Sequence, residues 1–173
     1  MIMLTGNNNA IGGGAVRFSR ETTGLPVIHA ASGRELGKLR EWLLDEKGAS
    51  VVAFVAEGSG WLPHRRVFCY RDILSMGNDA ILVSREGGNP AGDPPQIEGH
   101  PTRRVLGMRV ISYGGSELGV VEDILFEEET GRVAGWRLSA GLIDDILQGR
   151  QVMEPPMDVN IGEDVLIIRD ETR

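Results

Sequence analysis

Cysteine occurs once in the 173-residue chain, as Cys69. An internal disulfide is therefore excluded, in keeping with a reducing compartment. Histidine is almost as scarce: His29, His64 and His100 have no two at ligand spacing, and Cys69 stands apart from all three, so no zinc site with its usual four ligands is expected. Long apolar runs are missing too, none nearing the roughly 18 residues a membrane-spanning helix needs. The start, MIMLTGNNNAIGGG, lacks the basic opening and apolar core of a secretion signal, and a cytoplasmic protein without a membrane segment is expected. Only Lys38 and Lys47 are lysines, and the net charge is −7. Binding to nucleic acid gains its affinity by neutralising phosphates with basic residues, so this balance disfavours it as a partner.

Catalytic patterns are equally absent. Gly12-Gly13-Gly14 is followed by no Gly-Lys-Ser/Thr, so a phosphate-cradling loop lacks its parts. Glu127, Glu128 and Glu129 do not alternate as calcium-loop ligands do, and read as a solvated turn. Asp144 and Asp145 are neighbours that point apart on a helix, which does not suit a coupled acid and base. No hydroxyl or thiol sits beside a recognisable base. The sequence predicts no enzyme, no metal and no cofactor.

What the chain does have is a duplicated hairpin. Gly115 to Ser139 reads as a long strand, an acidic turn at Glu128 to Gly131, and a second strand rich in β-branched and aromatic residues. Gly33 to Glu57 superimposes on it without a gap at an offset of 82, with Glu35-Leu36-Gly37 recurring as Glu117-Leu118-Gly119. A Gly inside a strand marks a bend or a close backbone approach, so Glu35, Gly37, Glu117 and Gly119 are read as structural repeat positions. Asp123 breaks the apolar alternation of the second copy, and Glu41 breaks the first at the same place, which predicts a bend or a bulge in each long strand. Trp42 and Trp136 are expected in the core or at its rim.

The repeat divides the chain into a flexible tail (1–23), a first domain (24–86), a Gly/Pro linker (87–102) and a second domain (103–173). The linker, with four Gly and four Pro in GGNPAGDPPQIEGHPT, is expected not to fix how the domains face each other. Ala15, Val16 and Phe18 offer a short strand to an exposed edge in the tail. Acidity collects in the second domain: residues 103–173 hold eight basic against fourteen acidic residues, while residues 24–86 hold eight of each. Many short strands with regular turns imply an all-β sandwich or barrel. Only the second copy has the insertion GLIDDILQG, which places Leu142, Ile143, Ile146 and Leu147 on one face of a short helix.

LPVIHAASGRELGKLREWLLDEKGASVVAFV continued by RDILSMGNDAILV, and RRVLGMRVISYGGSELGVVEDILFEEETGRVAGWRL continued by VNIGEDVLII, each resemble the PRC-barrel family. That module is named from the H subunit of the photosynthetic reaction centre, and it also forms half of a ribosome-maturation factor. The resemblance implies two tandem small, mostly antiparallel β-barrels and a docking role without common catalytic residues. A difference from both members is expected, with no membrane helix ahead of the barrels and two of them in tandem. The function expected is a non-enzymatic adaptor that binds another protein, with oligomerisation open. Its candidate surface is Leu142, Ile143, Ile146 and Leu147, with Trp61 second. The alternatives are a ribosome- or RNA-associated assembly factor using Arg103, Arg104 and Arg109, and, third, a small-molecule-binding protein or enzyme.

Overall fold

The computed structural model describes residues 14–59, 61, 64–87, 98–139, 151–154 and 158–169. In chain order the first half runs β1 (Val16–Phe18), α1 (Ser19–Thr22), β2 (Pro26–His29), β3 (Arg34–Leu44), β4 (Val51–Glu57), β5 (Arg65–Cys69), β6 (Ile73–Met76) and β7 (Ile81–Val83). The second runs β8 (His100–Pro101), α2 (Thr102–Val105), β9 (Arg109–Ser112), β10 (Glu117–Glu127), β11 (Val133–Ser139), β12 (Gln151–Met153), β13 (Val159–Ile161) and β14 (Val165–Ile168). Two mixed seven-stranded sheets result. One has the order β5-β4-β3-β2-β7-β6 with β8 added on β3, and the other β12-β11-β10-β9-β14-β13 with β1 added on β10. The pairs β2–β7 and β9–β14 are parallel and the others antiparallel.

The long strands β3 and β10 bend at repeated positions. Register slips between Leu39 and Glu41 and between Val121 and Asp123, so an extra residue is absorbed where the alternation breaks. The bulge turns both acids inward: Glu41 is 8% exposed and Asp123 2%. A second slip occurs at Gly37 and Gly119, whose φ angles are 144° and 138°. A Cβ there would lie 2.8 Å from the Glu57 carbonyl carbon and 2.6 Å from the Ser139 oxygen, so only glycine lets the strands approach.

The halves exchange their leading strands. β1 precedes the first module but pairs with β10 of the second, Arg17 opposite Phe126 and Phe18 opposite Leu125. β8 precedes the second but pairs with β3 of the first, His100 opposite Leu44 and Pro101 opposite Leu43. Ser50 forms a bridge with Arg132, its own repeat at the 82-residue offset. The flanking hydrogen bonds, Val51 N–H to Gly131 O at 2.7 Å and Val133 N–H to Ala49 O at 2.9 Å, are each other's equivalents. A residue that pairs with its own copy lies on a two-fold axis, so the joint is an isologous interface inside one chain.

This joint corrects three expectations. Residues 16–18 form the short edge strand that Val16 and Phe18 offered and residues 19–22 a helical turn, within the stretch read as tail; residues 100–102 belong to β8 and α2, not a linker; and the halves have a fixed orientation. The physical reason is that the long strands β3 and β10 run past their first neighbours and leave backbone N–H and C=O groups unpaired, and a short strand from the other half pairs with each. A single apolar cluster accordingly spans both halves, from Val27, Trp42 and Phe54 to Val110, Phe126 and Trp136.

Candidate functional site

Trp42, fully buried, is the centre of the joint. Its ring lies 5.3 Å from Phe54, 5.9 Å from Tyr70 and 5.0 Å from Phe126, the last contributed by the second half. Its indole N–H donates to Thr22 Oγ1 at 2.8 Å and its backbone N–H to Thr102 Oγ1 at 3.3 Å, so one residue holds both leading helices. Asp123 does the same for α1, its Oδ1 accepting from Ser19 Oγ at 2.7 Å and from the Arg20 N–H at 3.2 Å. Arg17 on β1 donates to Met76 O in the first half and to the Glu128 carboxylate in the second.

Tyr70, in a 3-10 turn at Tyr70–Asp72, donates its hydroxyl across the joint to Glu128 O at 2.7 Å, with Glu127 O at 3.2 Å. Burial pushes its phenol well above the ordinary tyrosine range, the nearby Glu128 charge adds to the rise, and Arg17 opposes it. Replacing Tyr70 by Phe is expected to cost about 1 kcal/mol at neutral pH, the net worth of one hydrogen bond. A folded-state pKa above the unfolded one contributes stability below the unfolded value of about 10 and loses it as pH rises beyond. Wild-type stability should therefore fall between about pH 8 and about pH 10.5 more steeply than that of Tyr70→Phe, as urea denaturation at the two pH values will read.

In the acidic turn Glu127 and Glu128 are engaged, while Glu129 is exposed. The Arg132 guanidinium hydrogen-bonds Glu127 at 2.6 Å, and with Thr130 Oγ1 it holds that carboxyl below its usual range. Glu117 is likewise lowered by its hydrogen bond to Arg109, which occupies one of the basic residues considered for RNA. Arg103 lies against Glu41, and Arg104 reaches Gly162 O at 3.4 Å. His29 bonds Ser32, His64 is exposed and His100 lies in β8; among the described residues no group of His, Cys, Asp or Glu is arranged to hold a metal. Trp61 is 98% exposed. Leu142, Ile143, Ile146 and Leu147 lie outside the described residues.

A recess lies between the halves, with a volume of about 440 Å³. Equivalent positions of both helices line it, Ser19 with Thr102, Arg20 with Arg103 and Thr23 with Leu106, while the remaining wall is Arg40, Glu41 and Arg65 of the first half only. The bulges at Glu41 and Asp123 were legible as interruptions of the alternation. Their service to the helices of the opposite half was not, since nothing local in β3 or β10 names the partner.

A duplicated, mostly antiparallel β module with an internal two-fold joint and no helix long and apolar enough to cross a membrane among the described residues defines a tandem small-barrel class of protein. The model of the PRC-barrel domain matches twice, over residues 16–88 and 98–172, and the chain belongs to that family. The first match begins at β1, which places the leading strand and helix inside the module. The chain is also similar to the uncharacterized protein YrrD of Bacillus subtilis (strain 168), 24% identical over 155 residues that cover 88% of this chain and 87% of that protein.

Proposed function

We propose that this tandem PRC-barrel protein is a non-enzymatic scaffold that binds another protein. The observation that supports the reading is the reciprocal exchange of β1 and β8, which makes two modules one body and holds their outer surfaces at a fixed spacing. The hydroxyls and carboxylates buried at the joint, Ser19 with Asp123 and Tyr70 with the Glu128 carbonyl, serve cohesion. Trp61, an indole almost wholly in water, is the residue type most enriched at interface anchors. Full-length chain used as bait in native lysate, with and without nuclease, tests this against Trp61→Ala. A recurrent protein that survives nuclease and is lost by at least about tenfold with the variant, the usual 1.4 kcal/mol or more of an anchor residue, supports the scaffold. Recovery of ribosomal components only without nuclease replaces it with the RNA-associated assembly factor.

A further inference from the structure

We propose that the recess between the two halves binds a small phosphate-class anion that also carries a hydrogen-bond donor: hydrogenphosphate itself or a hydroxylated phosphomonoester. Four arginines, Arg20, Arg40, Arg65 and Arg103, are among the residues that line the recess, against a single acid, Glu41, on a chain whose net charge is −7. Arg40 is paired with Glu57 at 2.9 Å, but Arg20 and Arg65 have no carboxylate partner among the described residues. Guanidiniums present planar, fixed donors that match phosphate oxygens two at a time.

Glu41 gives the recess its selectivity. Its side chain is 9% exposed, and Arg103 Nε approaches Oε2 at 3.3 Å but off the hydrogen-bond line, so that oxygen is buried without a donor. The repeat shows that this is a departure. At the equivalent position Asp123 accepts from Ser19 Oγ, the Arg20 N–H and the Ile124 N–H. In the first half Thr102 Oγ1 instead accepts the Trp42 N–H, which leaves its own proton for a ligand in the recess. A buried unsatisfied acceptor is costly, and a ligand that brings the missing donor recovers that cost. Hydrogenphosphate brings one on its P–OH. Sulfate has the same shape and charge at pH 7.5 with no proton, so it sets a lone pair against Glu41.

Calorimetric titration of the full chain at pH 7.5 and constant ionic strength, with potassium phosphate, potassium sulfate and glycerol 3-phosphate, tests the site. Phosphate or glycerol 3-phosphate should bind once per chain and at least about tenfold more tightly than sulfate, a difference of 1.4 kcal/mol. Whichever of the two is tighter tells free phosphate from a phosphomonoester. Arg20→Gln, an exposed change that leaves the fold intact, should weaken binding by at least about tenfold. Glu41→Gln should bring sulfate to within about threefold of phosphate, because its amide N–H donates where the carboxylate only accepts. Equal binding of phosphate and sulfate by the native chain, no saturable binding of either phosphate compound, or affinity unchanged in Arg20→Gln would overturn the proposal.

Discussion

Trp42→Ala is expected to lower the unfolding free energy by about 4 kcal/mol, within the range for deleting a buried tryptophan. The indole is 0% exposed and touches aromatic rings of both halves, so its removal opens a cavity at the one place where neither sheet can close over it alone. It also frees the Thr22 hydroxyl that receives its N–H. Trp42→Phe keeps a ring and loses only volume and the hydrogen bond, and should cost about 2 kcal/mol. Urea denaturation followed by far-UV circular dichroism and, in a Trp61→Phe background where Trp136 is the one indole left once Trp42 is replaced, by tryptophan fluorescence checks both values. Trp136 belongs to the second half, yet its transition should move with that of the whole chain, because the core is one cluster. Two separated transitions, with Trp136 unmoved by the change at Trp42, would show independent modules and contradict the joint.

The parts of this architecture that were legible are those written in consecutive residues. β3 and β10 are each eleven residues long, followed by a turn and a seven-residue partner, so pattern, turn and repeat agree within one stretch. Of the leading strands, β1 was legible only as a short strand offered to an unspecified edge, and β8 was not legible. β1 has three residues and β8 two, too few to show a period, and β8 includes a proline. What makes them strands is the open edge of a long strand in the other half. β6 was hidden for a related reason, since Ile73–Met76 directly follows the turn at Tyr70 and gains its place by pairing with β7. A shift in the repeat offset was the available signal. The hairpins match at 82, but Gly24 and Gly107, both with φ of 89°, match at 83, so the residues before the hairpin are a repeated unit of their own. The arginine recess had no local signal at all. Its arginines come from α1, β3, β5 and α2, segments separated in sequence, with α2 contributed by the other half.

The same joint makes the two repeated acids unequal, and their replacement should separate them. Asp123→Ala is expected to cost about 3 kcal/mol. The carboxylate is 2% exposed, and without it the buried Ser19 hydroxyl and the Arg20 N–H lose their acceptor, at about 1–3 kcal/mol for each group left unsatisfied. Relief of the buried charge offsets part of that sum, which holds the total near the lower half of the range. Asp123→Asn keeps an oxygen in place and should lose only about 1 kcal/mol. Glu41→Ala should lose about 1 kcal/mol as well, because Oε2 accepts no hydrogen bond and the 3.3 Å approach of an exposed arginine is worth little. Hydrogen exchange locates the effect: amides of residues 16–22 should lose protection in Asp123→Ala before the core strands β3 and β4 do, since the bonds removed hold α1 to β10. Equal losses for Asp123→Ala and Glu41→Ala would mean that the two halves treat these positions alike. The contrast expected instead follows from one methylene: the shorter acid closes its side of the two-fold joint, and the longer one leaves a buried oxygen facing a cationic recess.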